Sequence, residues 1–481
     1  MILNPPSPPY FDVCRDWAGG FGTATRVRRR TEYGHSGEPN LHPFLPYASG
    51  ALLKADYEHM VLDCQRLKLS RSDALDAVSR QGPAVIFSLI GLPSLKRDCE
   101  LLDLIKGSNP NATIVGVGTC CRFLQNEILT SSKIDAVLRS RYPYVSNLVP
   151  FLNVLERKQK LTSVPEISWL EGGKVLATAE VSETDLDNLE RPEYSELELD
   201  GYQTFHDLDG SRHSCIPILG SRGCPYPCVY CPCPLGFGER YGHRSPKDIV
   251  TEIQDLLARG VDGILFRDQS FAMNRKHAAE VCQEIINRRL DIAWICEARV
   301  DHVSKGLLET MKRGGCKEIH FGVETGDPEL IRLAKPGVSL HDIRRAFRLT
   351  KQCGLSATAH VVLGWPDETV QTLQRTYAFI RELAPDRVNW NVLTPYPGTA
   401  LYDMARRAGL IWTNDWSRYT SHTVVMRTRF LSVAQLEEAI ERISRDYWKW
   451  RVGQLLLHAP RKPRFVLSEV KKIIQTSGFL S

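Results

Sequence analysis

Short apolar runs alternate, along the first third of the chain, with stretches whose apolar residues recur every three or four positions. The runs HMVLDC (59–64), AVIFSLIG (84–91), TIVGVG (113–118) and the shorter KIDAVLRS (133–140) predict buried strands. Between the second and third lies LPSLKRDCELLDLIKGSN, which carries helical spacing and ends in a Gly-Ser-Asn-Pro stop. Strand–helix–strand order of this kind predicts a doubly wound parallel sheet over residues 1–155, with ligands at the carboxyl ends of its strands. Residues 156–214 turn polar, with LEGGKVLATAE expected as a hairpin and DLDNLERPEY as a proline-punctuated linker. A second series then offers six strands: IPILGS, GILFRD, AWICEA, EIHFGVE, ATAHVVLG and RVNWNVLT. Helical segments separate them, which predicts a partial (β/α)6 barrel over 215–430. A helical region, 431–481, closes the chain; its Tyr447, Trp448 and Trp450 are expected to pack on the core.

Composition narrows the class without changing this α/β picture. Apolar residues at 43%, charged residues at 24% and a net charge of +5 describe an ordinary globular chain. The basic run Arg26–Arg30 is short and reads as a solvated loop, so no nucleic-acid partner is expected. No run approaches the roughly 18–20 apolar residues of a membrane span, and MILNPPSPPY lacks the pattern of a secretory signal. The expected location is cytoplasmic. Fourteen cysteines in a reducing compartment are not a disulfide framework. Most, including Cys64, Cys99, Cys282, Cys296, Cys316 and Cys353, sit singly in apolar patterns and read as small core residues.

The exception is SRGCPYPCVYCPCP (221–234), four cysteines and four prolines in fourteen positions. Each proline fixes its φ and removes an amide donor, so the stretch is an irregular loop. Cys224, Cys228 and Cys231 stand at C-x3-C-x2-C. Three thiolates on a four-iron cluster would leave one iron open. This spacing, just after an expected first strand, resembles the signature of the radical S-adenosylmethionine (SAM) superfamily. The resemblance implies a [4Fe–4S] cluster on those three cysteines and SAM chelated at the open iron. Reductive cleavage would then give a 5′-deoxyadenosyl radical. It implies that Tyr230 lies near the adenine and that Glu324, in HFGVETG, reaches SAM. Gly364, in VVLGWPDET, would let backbone approach the adenine. FRDQSFAMN (266–274), with Asp268, occupies the segment that binds the SAM amino group. CEARVD offers Glu297 and also Arg299, suited to the SAM carboxylate or to a structural ion pair. Cys233 is expected to stand outside the cluster.

The whole-chain order resembles the branch with a cobalamin-binding domain in front of the radical SAM domain. ILNPP and the order of strands fit that branch. The cobalamin loop does not: it reads GVGTCC (116–121), RSRYP (139–143) stands where a glycine–glutamate is usual, and no D-x-H-x-x-G motif appears. Cobalamin is therefore one option among the expected cofactors. Cys120 and Cys121 read as core residues. No G-x-S-x-G or H-E-x-x-H signature is present. His320 and His360 fall in apolar strands, as barrel-mouth acid–base groups or as satisfied core histidines.

The first expectation is hydrogen abstraction from an unactivated carbon of a natural-product substrate, followed by elimination, dehydration or rearrangement, as in aminoglycoside diol dehydration. The alternative is cobalamin-dependent C-methylation in secondary-metabolite or lipid biosynthesis. A cluster-bearing binding or sensor protein is the non-enzymatic reading. The expected partners are a small-molecule substrate and a flavodoxin- or ferredoxin-type electron donor. Aminosugars, polyketide-like metabolites and polycyclic lipids all suit the sequence as substrates.

Overall fold

A computed structural model describes residues 1–26, 38–181 and 189–458. The basic run lies almost wholly outside these residues, as do part of the predicted linker and the end of the chain. Two large sheets, one mostly and one wholly parallel, organise the rest.

The first sheet contains β1 (Ile2–Asn4), β2 (Val61–Asp63), β3 (Val85–Leu89), β4 (Thr113–Val117) and β5 (Ala136–Leu138). Two more strands, β6 (Ile167–Glu171) and β7 (Lys174–Ala177), extend it in the order β2-β1-β3-β4-β5-β6-β7. Pairing is parallel from β2 to β5 and antiparallel beyond. Sequence pattern alone did not show Ile2–Asn4 as a strand, because three residues carry too little periodicity. Its place beside β3 is fixed by burial of Ile2 and Leu3. The hairpin expected in the polar region does form, but it lengthens this sheet instead of standing in a linker.

The second sheet is all parallel: β8 (Ile216–Ile218), β9 (Gly263–Phe266), β10 (Ala293–Ala298), β11 (Cys316–Glu324), β12 (Ser356–Leu363) and β13 (Arg387–Val392), in chain order. All six strands expected from the sequence are present, because each is a continuous apolar run covered by a helix. The crossover helices start at side-chain caps that satisfy their first amides: Ser245, Asn274, Ser304, Ser339 and Thr369. The singly placed cysteines named above are buried.

The helix Val433–His458 lies along the helix Val370–Leu383. Tyr447 is fully buried and meets Trp390 edge-on at 5.4 Å, with Trp448 and Trp450 around it. The aromatic cluster thus packs on the barrel, as its spacing predicted. We expect Tyr447→Ala to cost about 3 kcal/mol of stability through the cavity it leaves, read as a lowered melting temperature. Phe430→Ala, at a side chain 63% exposed, should melt like the wild type.

Candidate active site

The cysteine loop follows β8 and has almost no regular structure of its own. Side chains at the exit of the neighbouring strand β9 hold it. The Asp268 carboxylate accepts the Gly220 amide at 2.8 Å and the Ser221 hydroxyl at 2.5 Å. Gln269 accepts the Gly223 amide at 2.9 Å. Further along, the Cys224 amide donates to Gly238 and that of Cys231 to Cys228. The prolines remove donors, and these bonds hold the amides of Gly223, Cys224 and Cys231.

Cys224, Cys228 and Cys231 line one cavity of about 270 Å3 at the carboxyl ends of the barrel strands. Tyr230, Glu297, Arg299, His320, Glu324, Lys335 and His360 share its wall, as does Cys233. Among the described residues no three Cys, His, Asp or Glu side chains converge closely enough to share a single ion. Burial pushes the Cys224 and Cys228 thiols up to about 11. Cys231 is raised further, first by its hydrogen bond to Cys233 and then by burial. A cation beside the trio would reverse that preference.

The surrounding groups are fixed by one another. Glu324 sits at a bulge between β11 and β12 with φ of +63° and pairs with Lys335 at 3.0 Å. Lys335 also donates to the Gly322 carbonyl at 2.9 Å. A Cβ on Gly322 would fall 2.2 Å from the Glu324 carboxylate, so only glycine leaves room for this pair. Tyr230 meets Trp365 edge-on at 5.2 Å. Arg299 grips Asp301 with two nitrogens at 3.1 Å and lies over the Tyr226 ring at 3.6 Å. Its third nitrogen points at the Cys228 sulfur, 4.0 Å away. Both sequence readings of Arg299 therefore have a partner in view: an ion pair is made, and one donor still faces the cavity.

Two of the predicted residues stand elsewhere. Asp268 is buried behind the loop, and its oxygens are engaged in holding it. Gly364, with φ of +100°, turns its open side toward Leu436 and Leu393, and its amide donates to Glu368 at 2.7 Å. Neither lines the cavity. The sequence reading missed Lys335, Trp365 and Gln269 as supports, and Trp17, Ala18, Gly19 and Thr23 as cavity wall. Nothing in their local pattern marks them; only the fold brings them here.

His320 and His360 do face the cavity, 3.3 Å apart at their ring nitrogens. Glu318 lies 2.9 Å from the other nitrogen of His320 through the oxygen that also accepts from Thr358, and its second oxygen pairs with Arg387. Burial depresses His360 to about 4 and lowers His320 as well. Both are neutral at pH 7 and can offer a hydrogen-bond donor or acceptor to a bound molecule.

Residues 218–380 match the sequence profile of the Radical SAM superfamily, spanning β8 through the helix after β12. This stretch is a radical SAM domain. Its relatives extend the match to the N-terminal sheet. It is 26% identical over 395 residues to the uncharacterized methyltransferase PH0819 of Pyrococcus horikoshii, covering 82% of this chain and 84% of that protein. It is 25% identical to an anaerobic magnesium-protoporphyrin IX monomethyl ester cyclase of Rubrivivax gelatinosus, covering 91% and 79%. It is also 25% identical to the hopanoid C-3 methylase of Methylococcus capsulatus, covering 80% and 72%. The structure of the radical SAM methyltransferase TsrM from Kitasatospora setae, with cobalamin and a [4Fe–4S] cluster bound, superposes with a TM-score of 0.68 at 16% identity, over 85% of this chain and 86% of that one. This radical SAM enzyme thus shares with that structure the fold of a doubly wound domain ahead of the barrel.

The superfamily implies a [4Fe–4S] cluster and SAM, and the cavity suits both. It brings together three partly exposed thiols, an aromatic ring and polar groups of both charges. Cobalamin fares differently. At the carboxyl ends of the first sheet, the positions where glycines would let a ligand approach are filled by the chain itself. A Cβ on Gly118 would lie 2.4 Å from the Ile90 carbonyl, and one on Gly116 would lie 2.6 Å from the Ile90 side chain. The residues there do not fit a corrin as folded.

Glu368 accepts the amides of Gly364 and Trp365 while almost wholly buried, and burial raises its pKa to about 7. A raised acid binds its proton more tightly folded than unfolded, so its contribution is full below the unfolded value and is lost as pH climbs through about 7. The stability of the wild type minus that of Glu368→Gln should therefore fall between about pH 5 and about pH 8 and level off above, as chemical denaturation at each pH would show.

Proposed function

We propose that this enzyme cleaves SAM reductively at a [4Fe–4S] cluster that Cys224, Cys228 and Cys231 would hold and acts on an unactivated carbon of a small molecule; transfer of a methyl group from a second SAM, through a methyl carrier such as cobalamin, is the outcome its relatives support. The observation that carries the radical step is the meeting of these three thiols with Tyr230, Arg299 and Glu324 in one cavity. When bound, the reduced cluster supplies the electron that splits SAM into methionine and a 5′-deoxyadenosyl radical.

The chain's own residues then have distinct tasks. Arg299 presents its free nitrogen beside Cys228, where a SAM carboxylate would accept it. Glu324, anchored by Lys335, offers an acceptor next to Tyr230. The closed strand ends and the Tyr230–Trp365 contact keep water from the reacting carbon. His320 and His360 give the floor a polar, uncharged surface that orients a hydroxyl- or amine-bearing substrate. A flavodoxin- or ferredoxin-type protein is the proposed electron donor.

Methylation is supported over the dehydration or rearrangement expected from the sequence by the names of the relatives. A methyltransferase and a methylase stand among them, and none of those compared is named for dehydration. The cyclase shows that related chains also serve other carbon chemistry. A second reading, direct radical chemistry without methyl transfer, is favoured by the filled strand ends of the first sheet.

Alanine at Cys224, Cys228 or Cys231 should abolish 5′-deoxyadenosine formation with dithionite as reductant, measured by chromatography. Cys233→Ala should keep its iron and its 5′-deoxyadenosine; near-normal cleavage by any of the first three would remove it from the ligand set. With SAM carrying a labelled methyl group and a small-molecule extract of the source cells, methylation should yield labelled product and S-adenosylhomocysteine. 5′-Deoxyadenosine formed without either would favour the second reading.

A further inference from the structure

We infer that residues 15–23 take the place of a corrin in this chain: they fill the cofactor face of the first sheet, lock that sheet to the barrel and wall the reaction cavity, so that the protein binds no cobalamin. The segment crosses the carboxyl ends of four strands. At β1, Arg15 donates to the Asn4 side chain at 3.0 Å and to the Pro5 carbonyl at 2.9 Å. Beyond β3 it pairs with Asp98 at 2.6 and 3.2 Å, both side chains only 1% exposed. Beyond β4, Thr119 donates to the Gly19 carbonyl at 2.7 Å and meets the Tyr144 hydroxyl at 2.8 Å. Beyond β5, the Tyr142 hydroxyl donates to Asp16 at 2.5 Å. Phe21 is fully buried, against Phe123 and Tyr396.

The same segment reaches the barrel directly. Asp16 pairs with Arg267 at 2.7 Å, and its carbonyl accepts a second bond from that guanidinium at 2.9 Å. Arg267 follows β9 immediately and lies over the rings of Trp17 and Phe237. Tyr142 stacks on Phe237 at 4.3 Å, and its amide donates to the Gly236 carbonyl.

The glycines show how close this contact is. A Cβ on Gly236 would stand 2.0 Å from the Gly19 carbonyl; one on Gly19 would stand 2.5 Å from the Pro232 carbonyl; one on Gly20 would stand 1.9 Å from the Tyr144 hydroxyl. Glycine at these positions serves the approach of another backbone, or at Gly20 of the Tyr144 side chain, where a bound cofactor would need the space. Trp17, Ala18, Gly19 and Thr23 then stand on the cavity wall. The N-terminal domain thus contributes wall and support to the site. This goes beyond the radical SAM reading it rests on: with no corrin to carry a methyl group from a sulfonium to a carbon radical, it favours the direct radical chemistry of the second reading.

The test uses the full chain, purified anaerobically with its cluster reconstituted, incubated with hydroxocobalamin and desalted. The expected result is cobalt at the level of a non-binding control protein, no corrin band in the visible spectrum and no change in melting temperature. Stoichiometric cobalt retained by the wild type would overturn the inference. Gly236→Ala should lower the melting temperature by roughly 5 °C or more, and hydroxocobalamin should not restore it. Gly107→Ala, where a Cβ meets nothing within 4 Å and the backbone is helical, serves as the control. A Gly236→Ala protein that melts like the wild type would overturn the packed contact. Formation of 5′-deoxyadenosine by the same wild-type preparation, assayed separately, tells failure of this inference from failure of the radical SAM reading.

Discussion

The site depends on how β9 ends. A loop rich in proline and cysteine cannot hold itself by backbone hydrogen bonding, because the donors are missing. Asp268 and Gln269, the residues that leave the second barrel strand, supply acceptors for the amides at the start of the loop. One residue earlier, Arg267 reaches the other way and grips Asp16 of the N-terminal segment. Three consecutive side chains thus set the cysteine loop against the barrel and the N-terminal domain against both. Burial raises Asp268 to about 6, so this fastening is made by a carboxyl group whose charge is costly where it sits. The hydrogen bonds it accepts offset part of that cost.

Electrostatics in the cavity follows one pattern: charges come in pairs, and single titratable groups are kept neutral. Glu324 is matched by Lys335, Arg299 by Asp301 and Glu318 by Arg387. The histidines on the floor are depressed by desolvation and carry no charge at neutral pH. A reactive carbon radical needs such surroundings, with little water and positioned dipoles around the target. Glycine at Gly322 and the positive φ at Glu324 are the local backbone features that let the carboxylate and its lysine sit side by side.

The N-terminal domain shows how a shared fold can diverge in use. Its sheet order and its superposition on TsrM give it the fold of a protein whose structure holds cobalamin. Its strand ends are nonetheless covered by Arg15, Asp16, Phe21, Tyr142 and Tyr144, all buried. Fold likeness at such low identity carries the architecture; the use of the face is decided by the side chains upon it.

The sequence by itself determined the second sheet and the cysteine trio. Six apolar runs with capped helices between them leave one consistent parallel arrangement, and C-x3-C-x2-C on a proline-rich loop has few other uses. It also indicated Glu324 and the two histidines on strands, Arg299 just past the end of one and Tyr230 within the cysteine loop. Tertiary structure decided what faces the cavity. Asp268 and Gly364 lie beside cavity residues in sequence, yet they turn toward the loop and the C-terminal helix, because side chains at a strand end diverge with the bulges and turns that follow. Lys335 and Trp17 reach the site from distant segments, and no local pattern encodes that meeting. Whether glycines such as Gly118 and Gly236 leave room for a ligand or for another backbone depends on long-range packing, which periodicity along one chain does not contain.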